Sequence, residues 1–207
     1  MLSELITGIF SRGDGSPGPI RGSRTGCQVT TQGHGGYTEP ATRGGIMEAT
    51  TAVAGIAPGT ALSAAPPMAL WNPPSSGRNL AILKSYMGYI SGTLGGGTLV
   101  YAVVPAQTTV PTTGTELIPQ CSLIGAPRGV GRVFQGSTLV AVPTILRPAF
   151  VLGAFVGTAA TPPDPALDLV DGSIIVAPGT VLCLQAVAAA GTTPLVLLSL
   201  IYEELPI

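Results

Sequence analysis

Few side chains in this sequence have the type and spacing to do chemistry. The one histidine, His34, lies in Thr31-Gln32-Gly33-His34-Gly35-Gly36. Its imidazole would titrate in the range that suits a general base, but a glycine-rich segment does not hold a base against a substrate, so His34 reads as a solvated loop residue. No G-x-S-x-G elbow is present to raise a serine nucleophile. Asp164, Asp168 and Asp171 offer oxygen ligands of the kind calcium takes. Their spacing is not that of a calcium loop and Pro165 restricts folding them inward, so they read as solvated turn carboxylates. Two carboxylates for glycoside cleavage would have to stand about 5 to 10 Å apart in a groove, and nothing in the spacing favours such a pair. Gly92 to Gly97 lacks the Lys-Ser/Thr that completes a phosphate cradle. Arg12-Gly13-Asp14 spells an integrin-recognition tripeptide, which a glycine-rich segment produces by chance. No catalytic residue, metal ligand or cofactor is assigned.

Cys27, Cys121 and Cys183 are odd in number and far apart, without zinc or disulfide-framework spacing. Cys183 stands in Val181-Leu182-Cys183-Leu184 and reads as a small core residue. The aromatic residues are scattered, and Trp71, followed by Asn72-Pro73-Pro74, is expected to close one end of the domain.

The elements that would position such groups are dictated by composition. Of 207 residues, 29 are Gly and 20 Pro, 45% are hydrophobic and 9% charged, with a net charge of −1. So apolar a chain is not disordered, the glycines hold no collagen period, and so many breakers exclude a long helical bundle. An all-β domain with many turns remains. A monomer of this mass exposes about 9,000 Å², and soluble surfaces draw roughly a quarter to a third of their residues from charged types. The charges here do not cover that area, so much of the surface is either neutral or buried against other chains. With no basic run, nucleic acid is not expected as a partner. No secretory signal and no membrane helix is read from the sequence, and an outer-membrane barrel is disfavoured by the few aromatics.

Residues 1–45 differ from the rest. Leu2, Leu5, Ile6, Ile9 and Phe10 follow the spacing of one helical face. So short a helix is marginal alone, so its face docks either on its own domain or on a partner. Beyond it, Gly, Ser, Thr, Pro and Arg dominate an extended arm carrying Arg12, Arg21 and Arg24. Leu2, Leu5, Ile6, Ile9, Phe10 and these three arginines are the expected partner-binding residues.

Residues 46–207 alternate short apolar runs with Gly and Pro turns, which predicts a jelly-roll-like, two-sheet antiparallel β-sandwich. Strands are expected at 50–56, 60–70, 79–90, 98–104, 116–124, 130–134, 137–142, 148–157, 172–176, 180–188 and 194–203, with Gly92–Gly97 joining two adjacent antiparallel strands. Thr98–Val104 and Pro194–Tyr202 are apolar on both faces. A strand with one wet face alternates apolar with polar, so an oligomer is expected to cover the second face.

The stretch Leu70-Trp71-Asn72-Pro73-Pro74-Ser75-Ser76-Gly77-Arg78-Asn79-Leu80-Ala81-Ile82-Leu83-Lys84, followed by Gly88-Tyr89-Ile90-Ser91-Gly92-Thr93, resembles small β-rich virion proteins of tailed bacteriophages. So does Asp171-Gly172-Ser173-Ile174-Ile175-Val176-Ala177-Pro178-Gly179-Thr180, with the ending Glu203-Glu204-Leu205-Pro206. The resemblance covers roughly residues 60–207 and excludes the arm. It implies a non-enzymatic, homotrimeric cement or decoration protein on the capsid surface of a virion, assembled in the host cytoplasm. Its partners would be the major capsid protein and neighbouring copies of itself, with no nucleic acid and no membrane. No individual functional residue carries over. A tail-fibre or receptor-binding domain and a jelly-roll glycan hydrolase are the alternative readings.

Overall fold

The computed structural model describes residues 36–156 and 165–207, and Pro40–Ile207 forms one compact unit. In chain order its elements are α1 (Thr38–Thr42), β1 (Ile46–Thr50), β2 (Met68–Asn72), β3 (Arg78–Ser91), β4 (Thr93–Leu94) and β5 (Gly97–Val104). There follow β6 (Thr115–Leu117), β7 (Gln120–Cys121), β8 (Arg132–Gln135), β9 (Thr144–Leu152) and β10 (Phe155–Val156). The last three are β11 (Ala166–Val176), β12 (Thr180–Val187) and β13 (Leu195–Pro206).

Every paired strand is antiparallel to its neighbour. One sheet has the order β11-β3-β13-β1-β7, the other β6-β8-β2-β12-β5-β9, and β4 and β10 form a short ribbon. The expected all-β, two-sheet antiparallel sandwich is therefore present. Its core lies between the sheets, where Leu70, Leu99, Tyr101, Leu182 and Leu184 of one meet Leu80, Ile82, Leu198, Leu200 and Tyr202 of the other. All ten are fully shielded from water.

The six-stranded sheet is apolar on its outer face as well. Ala69, Trp71, Ala102, Val104, Phe134, Val181 and Cys183 form a second buried cluster, roofed by Leu139 and Leu62. Gln107 fastens this roof: its carbonyl accepts the Trp71 indole N–H at 2.8 Å, and its side-chain oxygen accepts the Val140 amide at 3.0 Å. Trp71 thus lies beneath a loop on a sheet face and does not close an end of the sandwich. For β5 the expected oligomeric cover is supplied by the chain itself.

Two expected strands and one expected turn take other forms for identifiable reasons. In 60–70 only Met68–Leu70 enters a strand, because Pro66 and Pro67 donate no ladder hydrogen bonds, and residues before them serve as roof. In 137–142 Thr138 makes a single bridge to Thr112, while the Val140 amide is spent on Gln107. Gly92–Gly97 does not join adjacent strands: β3 and β5 belong to different sheets, and the segment crosses between them. A Cβ at Gly95 would run into the Ala190 carbonyl, so glycine permits two connections to pass in backbone contact.

Candidate interaction surfaces

Two ion pairs, Arg147–Asp168 and Arg132–Glu116, organise polar side chains of the described residues. Tyr101 on β5 donates its hydroxyl to Asp168 on β11 at 2.9 Å and lies 2.6 Å from the Ser85 hydroxyl on β3. Arg147 on β9 donates to the same Asp168 oxygen at 2.9 Å and stacks 5.1 Å from the Tyr101 ring centre. This network ties the sheets together at the side where β9 and β11 are both edge strands. Burial pushes the Tyr101 phenol well above its ordinary range, the Ser85 bond opposes that and Asp168 adds to it. A phenol held protonated and donating to a carboxylate is a structural link, not a nucleophile.

Elsewhere Arg132 makes two bonds to Glu116, at 2.8 and 2.6 Å, and covers the rings of Trp71 and Phe134. That hydrogen-bonded guanidinium holds the Glu116 carboxyl below its usual range. Glu204, buried, accepts the Gly131 amide at 2.8 Å. Of the aspartates considered as calcium ligands, Asp168 is turned onto Tyr101 and Arg147, Asp171 stands at φ 46° in the irregular middle of β11, and Asp164 lies outside the described residues. Among the described residues no three His, Cys, Asp or Glu side chains gather as metal ligands. Nor is any helix among them long and apolar enough to cross a membrane.

Apolar surface is a different matter. The register places Leu167, Leu169 and Ile175 of β11 on the outer face of the five-stranded sheet, in rows with Tyr86, Lys84 and Ala81 of β3. These three side chains are exposed, whereas Leu197 and Ile201 of β13, on the same face, are half-buried. The second apolar face expected of Pro194–Tyr202 is thus real, and no described residue roofs it as Leu139 roofs the other sheet. On the opposite flank of the same side, Ile145, Pro148 and Val151 of β9 pair with Ala102, Val100 and Thr98 and face outward from the six-stranded sheet, all exposed. Between the edges lies an apolar groove of about 340 Å³, lined among others by Val103, Leu146, Ile174 and Ile175.

The architecture is that of an antiparallel two-sheet sandwich with apolar flanks. No family model matches the chain, and no curated protein or solved structure matches it significantly. The expected partner-binding residues Leu2, Leu5, Ile6, Ile9, Phe10, Arg12, Arg21 and Arg24 lie outside the described residues, as do His34 and Cys27. Cys121 and Cys183 are buried free thiols. The β11 residues are not singled out by sequence, because Asp164, Asp168 and Asp171 read as turn carboxylates; the alternation Leu167-Asp168-Leu169 is the available signal.

Proposed function

We propose that this is a non-enzymatic structural protein of a virion, a jelly-roll cement or decoration protein that acts as a homotrimer on the head shell of a tailed bacteriophage. The observation that carries this reading is the pair of exposed apolar flanks beside a 9% charge content, a surface suited to other protein and poorly suited to water. The jelly-roll assignment draws on the strand order. If β4, β6, β7, β8 and β10 are set aside as additions, the remaining eight strands in chain order occupy the sheets as 1-8-3-6 and 2-7-4-5. That order is what two interlocked Greek keys produce, an architecture common in viral capsid proteins. In this reading the major capsid protein and neighbouring copies are the partners, and Leu2, Leu5, Ile6, Ile9, Phe10 and the arm arginines grip the shell. Linked contacts at equivalent points of an oligomer multiply through effective concentration.

The test is a chain lacking residues 1–35, which leaves all described elements in place. The truncated protein should remain oligomeric and fail to bind head shells. Undiminished binding would overturn the role given to the arm. Electron microscopy of the complete particle should place this chain on the head; density confined to the tail would favour the fibre reading instead.

A further inference from the structure

The outer apolar face of the six-stranded sheet is covered by chain that has little to hold it there. The roof consists of residues 105–113 and 137–142, joined at the Thr112–Thr138 bridge, and of residues 61–65, where the Ala64 carbonyl accepts the Leu139 amide at 2.8 Å. All three segments lie outside the strands. Leu139 and, in part, Leu62 are the large apolar side chains the roof turns onto the sheet, while its Val110, Val140 and Val142 stand exposed. The polar ties converge on Gln107, which is 1% exposed. Its amide donates to the Gly179 carbonyl at 2.8 Å and its carbonyl accepts the Trp71 indole; its side-chain oxygen accepts the Val140 amide, and its Nε2 donates to the Thr109 carbonyl at 2.7 Å. Where the roof rejoins the strands, Thr113 stands at φ 59° and Gly114 at 63° before β6, and Gly136 at 62° after β8. Left-handed backbone is unfavourable for a β-branched threonine. We propose that this roof is a lid, which lifts from the six-stranded sheet about Thr113–Gly114 and Gly136 when the side-chain bonds of Gln107 break, while the core between the sheets stays closed.

A segment with few buried apolar contacts opens at lower cost than the strands beneath it. Opening bares Trp71, Val104, Phe134 and Val181, so the open form presents an apolar sheet face that the closed form hides. Two native side chains report on the event. Trp71 is the single tryptophan, and its indole proton is held by the Gln107 carbonyl. Cys183 belongs to the same roofed cluster, and burial keeps its thiol protonated and therefore inert while the lid is down.

The experiment incubates the full chain and its Gln107→Ala variant with a thiol reagent at urea concentrations well below the unfolding midpoint, and follows modification of Cys183 by peptide mass mapping. In the parent, Cys183 should be labelled faster than global unfolding allows, the latter measured by loss of the far-ultraviolet strand signal. Its rate should also vary little with urea, because a lid exposes far less surface than the whole sandwich. Gln107→Ala should raise that rate about tenfold or more, and exchange of the Trp71 indole proton, read by NMR, should rise by the same factor. Labelling of parental Cys183 at the rate and with the urea dependence of global unfolding would overturn the proposal, whether or not Gln107→Ala folds. Equal rates in the parent and a folded Gln107→Ala would overturn it too, since the latch would then lie elsewhere.

Discussion

At the scale of single residues, the polar groups inside the sandwich act as ties between sheets. Tyr101 reaches from β5 to Ser85 and Asp168 on the opposing sheet, and removing its hydroxyl leaves two partners short of a bond. Tyr101→Phe should therefore cost about 1 to 3 kcal/mol, read as a lower urea midpoint with an unchanged slope. The same residues set an alkaline limit. Burial raises the Tyr101 and Tyr202 phenols and the Cys183 thiol above their ordinary values. A raised folded-state pKa means that the native chain holds its proton where the unfolded chain releases it. Stability is thus complete below the unfolded-state values and falls as pH rises past about 9 to 10. Urea midpoints measured across that interval should decline, and Tyr202→Phe should make the decline shallower. Glu116 works in the opposite direction: Arg132 lowers its pKa, so its contribution is present above the ordinary carboxyl range and fades on acidification. That pair is partly exposed and contributes less than about 1 kcal/mol.

At the scale of elements, the crossing of two connections is the most constrained feature. Gly92–Gly97 and the segment Ala190–Thr193 pass so closely that side chains have no room at Gly92, Gly95 or Gly191. Gly95→Ala should destabilise by about 3 kcal/mol, since backbone on both sides must shift; a variant that melts with the parent would contradict this. Long strands were legible in the sequence where apolar residues ran on without Pro, as in β3, β5, β12 and β13. The signal failed where a segment's amides bond to side chains or its apolar residues roof a sheet, as with Leu62, Gln107 and Leu139, because local periodicity does not report which sheet face a loop will cover. For the candidate site the outcome was mixed. The two-faced pattern of β13 pointed to a face without a described cover, and that of β5 did not, because its cover comes from loops distant in sequence, at Leu62 and Leu139. The β9 flank was invisible for a related reason: it becomes a flank only once β9 is known to be an edge.

At the scale of the molecule, the scarcity of charge leaves large apolar side chains exposed at more than one place: Ile145, Leu146, Val151, Leu167, Leu169 and Ile175 on the edge strands β9 and β11, and Ile118, Leu123 and Ile124 around β7 at the opposite edge of the five-stranded sheet. An assembly held by such flanks depends little on ion pairs. Raising sodium chloride from about 0.05 to 1 M, which shortens the screening length to about 3 Å, should leave its mass unchanged, and sulfate should tighten it. Dissociation by salt would place the contact on charged residues instead. The central claim, that this chain works by associating with copies of itself, is tested most directly by native mass spectrometry of the purified full chain at micromolar concentration. The account predicts one discrete species at three times the 20.7 kDa chain mass. A monomer at every concentration would contradict it.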